Sequence, residues 1–124
     1  MKYIRESREW QEDSELEEFV HFCRQQLGWN STPTIHISDD HREAMLNKSM
    51  GYFNPQSNEI WVLRGSRVRA DWYRTLAHEL VHHHQRDTGK VLDGADGSDI
   101  ENEANSQAGV LLREWGRRNP TIFS

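Results

Sequence analysis

The pentapeptide His78-Glu79-Leu80-Val81-His82 holds the residues with the clearest chemistry in this chain. On an α-helix, residues four apart lie on one face, about one turn apart. His78 and His82 can therefore turn two imidazoles towards one metal ion. Zinc takes nitrogen ligands at about 2.0–2.1 Å, and catalytic zinc sites often combine three protein ligands with a water. Glu79 lies about 100° round the helix from His78. From there its carboxylate can take a proton from a water that the metal activates. The flanking Leu76, Ala77, Leu80 and Val81 are apolar, so the helix is expected to be largely buried. Histidines on a buried face need partners, and zinc (Zn2+) supplies one to both.

The other histidines of the run fit poorly. His84 is rotated by about 200° from His82 and cannot face the same ion. It shares a side with Tyr73, Ala77 and Leu80, so a packed role is expected. His83, about 100° away, is expected either to support the site through a hydrogen bond or to be exposed.

Two histidines leave a protein ligand to be found, and Glu101 and Glu103 are the candidates. They are two apart, so only one can face the site. Ile100, Ala104, Ala108, Leu111 and Trp115 define an apolar stripe. On a helical wheel Glu101 lies closer to the centre of that stripe than Glu103, which falls on its flank. Glu101 is the favoured ligand, and Glu103 is the alternative if the helix phase differs near its N-terminus. Asn105, four residues after Glu101, lies on the same side and can orient a ligand through a hydrogen bond. Asp93, Asp96 and Asp99 lack the spacing of an EF-hand loop and read as turn and capping residues.

The positioning elements follow from periodicity. Residues 14–27 read as an amphipathic helix, with Ser14 and Glu17 as a capping box and Gly28 as a stop. Cys23 falls on its apolar face and reads as a buried structural thiol. Residues 33–38 read as a strand. Residues 39–49 are polar, with a short helix or loop. Two β-prone runs around Asn54-Pro55 suggest a hairpin ending at Leu63. A helix is expected over 68–87, and a last helix from Ser98 or Asp99 to Arg118, before Asn119-Pro120. Residues 1–13 form either a tail or an extra helical turn. This is a single α+β domain, with a short antiparallel sheet packed on the motif helix and a following ligand helix.

Composition narrows the partners. The 124 residues suit one domain, and at 35% hydrophobic they give a modest core to which five Trp and four Phe add area. The net charge is −5, and no basic block suggests a phosphate backbone as partner. The arginines at 64, 67, 69 and 74 read as a solvated surface. A single cysteine forbids an internal disulfide and fits a reducing compartment. No signal-peptide core or membrane-length run is present. A soluble, cytoplasmic protein with no membrane partner is expected.

The His78–His82 motif, followed after eighteen intervening residues by Glu101-Asn102-Glu103-Ala104-Asn105, resembles a gluzincin. In that clan a HExxH helix is joined by a glutamate from a following helix. The hairpin from Gly51-Tyr52-Phe53-Asn54-Pro55 to Ile60-Trp61-Val62 resembles that of ImmA/IrrE-like peptidases and of the single-domain minigluzincins. The resemblance covers roughly residues 50–112. It implies a zincin-like fold, zinc ligands His78, His82 and Glu101, and Glu79 as base. The chain departs from the ImmA/IrrE pattern at Gln107-Ala108 and lacks a DNA-binding helix-turn-helix, so a repressor-cleaving role is not carried over. SprT-like proteases are similar in size and motif but do not use a glutamate as the remaining ligand.

Peptide hydrolysis is the expected activity, with Tyr52, Tyr73, His41 and several arginines as candidates to stabilise the oxyanion. The strand at 59–63 is expected to offer an edge to an extended peptide. Tyr52, Trp61 or Trp72 could line a pocket, although core packing is the commoner use of such residues. The alternatives are a zinc-holding interaction module with little turnover, favoured if residues 121–124 block the open metal position, and a metal-free interaction protein.

Overall fold

Leu16, Phe19, Val20 and Cys23 recur at helical steps, and all are buried on the first helix, α1 (Asp13–Leu27). Gly28 ends it at φ 82°, with its N–H donated to the Arg24 carbonyl at 2.7 Å. Glycine adopts this left-handed stop without strain. Burial raises the pKa of the Cys23 thiol, as suits a structural cysteine. The computed structural model describes residues 2–5, 13–90, 92 and 98–123.

The fold is α+β, as expected. Strands β1 (Lys2–Arg5), β2 (Thr34–Ser38), β3 (Gly51–Asn54) and β4 (Glu59–Leu63) form one sheet in the order β1-β2-β4-β3. The hairpin β3–β4 is antiparallel, with Gly51 opposite Val62 and Asn54 opposite Glu59. The sheet as a whole is mixed rather than antiparallel, because β2 runs parallel to both β4 and β1. The cause lies in the Ile60–Leu63 run. Ile60 and Val62 enter the main core, while Trp61 and Leu63 pack with Ala44 of α2 (His41–Asn47) on the other face. A strand buried on both faces belongs inside a sheet. The connection through α2 and β3 is long enough to make β2 and β4 parallel.

Residues 2–5 are a strand, not the tail or helical turn expected, with Lys2 opposite Thr34 and Arg5 opposite Ile37. This pairing depends on a partner some thirty residues away in the chain, so no local pattern announces it. Residues 6–12 lie outside the described residues.

Helix α3 (Arg69–Asp87) packs between the sheet and α4 (Asp99–Arg118), and a 3-10 turn (Pro120–Phe123) closes the described chain. Tyr73 sits in the core with its ring 4.6 Å from both Phe19 and Trp72. Among the described residues no helix is long and apolar enough to cross a membrane.

The end of α3 is tied to the loop after α1. Asp87 accepts hydrogen bonds from the backbone N–H groups of Asn30 and Ser31 and from the Ser31 hydroxyl, each at 2.9 Å. Burial opposes ionisation of Asp87, but these donors outweigh it and hold its pKa below the ordinary carboxylate value. A depressed folded-state pKa stabilises the fold above the unfolded value of about 3.9, and that contribution is lost as pH falls through the folded one. Asp87→Asn is therefore expected to cost about 2 kcal/mol at neutral pH, with the gap to wild type closing below about pH 4. Urea unfolding across a pH series measures this. A gap that stays constant down to acid pH would contradict it.

Candidate metal centre

One turn of α3 separates His78 from His82 and brings their Nε2 atoms to 3.1 Å. The rings stand nearly perpendicular, at 84°. Glu101 completes the group from α4. Its Oε1 lies 2.9 Å from His78 Nε2 and its Oε2 lies 3.0 Å from His82 Nε2. The cap of α4 sets this phase: the Ser98 hydroxyl accepts from the Glu101 N–H at 3.1 Å. With the first turn so anchored, Ala104 and Ala108 face the core and Glu101 faces α3. Neighbouring ligands of a tetrahedral zinc ion with bonds of about 2.0–2.1 Å stand about 3.3 Å apart, close to the spacing found here. His78, Glu79 and His82 also offer ligand atoms within 4.8 Å of one another. The group is compatible with a metal ion.

The hydrogen bonds around His82 make the case for a cation stronger. The Gln85 amide donates to Glu103 Oε1 at 2.8 Å and to the Ile100 carbonyl at 3.1 Å. Both partners only accept, so the orientation of the amide follows from its network. Its Oε1 is then left facing His82 Nδ1 at 2.8 Å, and Nδ1 must carry the proton. In neutral His82 the Nε2 lone pair therefore points at the Glu101 carboxylate and at His78 Nε2. A single proton on His78 Nε2 cannot satisfy both the Glu101 carboxylate and the His82 Nε2 lone pair. A further proton or a metal cation relieves the crowding. Burial lowers the pKa of His78, the charge of His82 acts the same way, and Glu101 opposes them.

Sequence reasoning missed Gln85. It lies three residues after His82, where a polar side chain shares a helix side with the ligand, and it is fully buried. We expect Gln85→Leu to weaken zinc binding by about 10–100-fold, as loss of a ligand-orienting partner does. Competition against a chromophoric chelator reads this, and unchanged affinity would remove Gln85 from the site.

Glu103, the alternative ligand, is turned away. It holds Lys90 Nζ at 2.8 Å and the Gln85 amide, and these two partners lower its pKa, with Lys90 first. It supports the centre through Gln85. Asn105 is exposed at the mouth of the site, where its hydrogen bond with His78 favours the protonated ring. Glu79 is only 6% exposed, and burial first, then the charge of Glu101, push its pKa up to about 8.

Neither His83 nor His84 faces the group. His83 is fully buried rather than exposed, bonded through Nε2 to the Ser31 carbonyl at 3.0 Å and set edge-on to Trp29 and Phe53. His84 is half-buried, not core, with Nδ1 on the Gly28 carbonyl at 2.7 Å. The two roles differ from expectation because the sheet and the loop after α1 wrap α3 over more than a single stripe. Asp93 and Asp96 lie outside the described residues, and Asp99 is the first residue of α4.

Two cavities open on the centre. One, of about 370 Å³, is lined by Tyr52, Phe53, Pro55, Leu92 and Ile100 beside the histidines, Glu79 and Glu101. The other, of about 310 Å³, runs past His78 and Glu79 to Arg67, Asp71 and Arg74. Strand β3 borders both, and Gly51 lets it approach: a Cβ there would stand 2.6 Å from Thr75 Cγ2. Among the described residues the edge strand of the sheet beside the centre is therefore β3. The expected edge at 59–63 is interior, since β4 lies between β2 and β3. Of the oxyanion candidates, Tyr73 is in the core and His41 lies by Ser66, whereas Tyr52, Arg67 and Arg74 line the cavities. Trp61 and Trp72 are buried and line neither cavity.

Comparison with protein-family models, with curated proteins and with solved structures finds no match to this chain.

Proposed function

We propose that this domain is a zinc-dependent peptidase of gluzincin type, with His78, His82 and Glu101 as ligands and Glu79 as general base. The observation that carries this is the convergence of two imidazole nitrogens and a carboxylate within 3.1 Å, short of protons, beside the buried Glu79. A zinc ion bound there supplies Lewis acidity to a peptide carbonyl and acidifies water. Glu79 accepts the proton of the attacking water and returns it to the leaving amine. Gln85 and Asn105 hold the two imidazoles in their ligating orientations. Strand β3, which borders both cavities, is placed to contact an extended peptide, whose side chains then reach those cavities. The substrate is a peptide or protein rather than a nucleic acid or a membrane.

A metal-holding module without turnover has no need of a buried carboxylate at position 79. Residues 121–123 pack against Arg69 and Gly116, at the other end of α3 from the metal ligands, and leave the cavities open. The test is elemental analysis with a hydrolysis assay on a mixed peptide library. About one zinc per chain is expected, together with cleavage that a chelator abolishes and added zinc restores. Absence of stoichiometric metal after reconstitution would overturn the proposal. Bound zinc without any cleavage would leave the binding module as the better account.

A further inference from the structure

The cavity on the His78 side has a charge arrangement that peptide hydrolysis does not need. Its wall carries Arg67, Asp71, Arg74 and Thr75 next to His78 and Glu79. The four arginines of this stretch fall into two pairs. Arg64 meets the Asp39 carboxylate at 2.8 Å and Arg69 meets Glu15 at 2.7 Å. Arg67 and Arg74, the pair in the cavity wall, have no carboxylate within ion-pair distance among the described residues.

Arg67 donates only to neutral acceptors: the Leu63 carbonyl at 2.9 Å, the Asp71 carbonyl at 3.2 Å and the Thr75 hydroxyl at 2.7 Å. Burial lowers its pKa, and the nearby Asp71 charge only partly offsets this. A half-buried guanidinium so held is partly withdrawn from water with no carboxylate in contact, a cost that an anionic ligand would relieve. Arg74 is exposed, and its Nη2 lies 3.6 Å from where a Cβ on Gly109 would stand. Asp71 offsets one of the two cations, and Glu79 is committed to the reaction. One positive charge remains in a cavity large enough for a side chain.

We propose that this cavity binds a carboxylate of the substrate peptide, either an acidic side chain near the scissile bond or the C-terminal carboxylate. The planar guanidinium fork matches the two oxygens of a carboxylate. Arg67, braced at three points, is the fixed donor, and Arg74 closes over the ligand from the surface. This specificity rests on the peptidase reading above, but binding tests it without turnover.

The probe is a set of acetylated, C-terminally amidated pentapeptides that differ only at the central residue: Glu, Gln or Lys. A further Gln peptide keeps its free C-terminal acid. Calorimetry measures their binding to the zinc-loaded Glu79→Gln protein and to the metal-free protein. The Glu peptide or the free acid is expected to bind about tenfold more tightly than the neutral Gln peptide in both forms, with Lys weakest. A gain for Glu identifies the side chain as ligand, and a gain for the free acid alone identifies the C-terminus. Arg74→Gln, at an exposed position, is expected to reduce the gain of the acidic peptide over the neutral one. Arg67→Gln is expected to abolish it, with thermal unfolding checking that the fold survives. Equal affinity for all peptides, no binding below millimolar, or a gain that persists in both variants would overturn the proposal. Loss of zinc or of hydrolysis would bear on the peptidase reading instead, because the metal-free arm does not depend on either.

Discussion

Glu79→Gln is expected to retain zinc at the wild-type level and to lose about 10²–10⁴-fold in peptide hydrolysis, the usual contribution of a positioned general base. The substitution keeps the size of the side chain, so the buried position stays filled. Among the described residues grouped with His78 and His82, it removes the carboxylate that is not itself placed as a ligand. Burial and the charge of Glu101 both disfavour ionisation of Glu79 in the metal-free protein. A cation among His78, His82 and Glu101 acts in the opposite direction and restores the basic form. The base is therefore expected to be competent only in the loaded protein. Rate and metal content are measured on the same preparations. Equal rates would move the base elsewhere while leaving the metal site intact. Loss of zinc from the variant would instead make Glu79 a ligand.

Removal of Glu101 is expected to have the largest effect on the metal. Glu101→Ala deletes a ligand and should weaken zinc binding by more than about 100-fold, beyond the loss from an outer partner. Glu103→Ala should cost about 10–100-fold, since it releases Gln85, which in turn orients His82. The metal-free proteins are expected to separate the two roles in the opposite order. Without Glu101 the His82 lone pair no longer faces a carboxylate, so the metal-free variant should unfold at or above the wild-type temperature. Without Glu103 the buried Gln85 amide loses an acceptor and Lys90 loses its partner, so that variant should be less stable. If Glu103→Ala loses the metal and Glu101→Ala keeps it, the assignment is reversed. Equal affinity of both variants and wild type would exclude α4 from the site.

The local chemistry was legible in the amino-acid order. A spacing of four residues places His78 and His82 together in any helix, and Glu79 beside them, because the helical repeat is a property of neighbouring residues. The apolar stripe of α4 also puts Glu101 rather than Glu103 on the side that faces α3. The Ser98 cap removes the ambiguity at that helix end. The α+β class, the hairpin and the limits of α3 follow from the same short-range periodicity.

Other features depend on which distant surfaces meet, and no periodicity contains that. β1 pairs with β2 across some thirty residues, and β4 becomes an interior strand because α2 covers its second face. These contacts make the sheet mixed and give the edge beside the metal centre to β3. The fate of His83 depended on the loop at Trp29–Ser31 folding over α3, since a helical wheel gives angles between residues but not what lies outside them. The four arginines look alike in the sequence, yet Asp39 and Glu15 neutralise only Arg64 and Arg69. The motif thus determined by itself that two imidazoles and a carboxylate meet on one helix. Tertiary packing alone decided the tautomer of His82, through Gln85 and Glu103. It also left Arg67 and Arg74 as charges beside the centre, because electrostatic and hydrogen-bond partners are chosen by proximity in space, not along the chain.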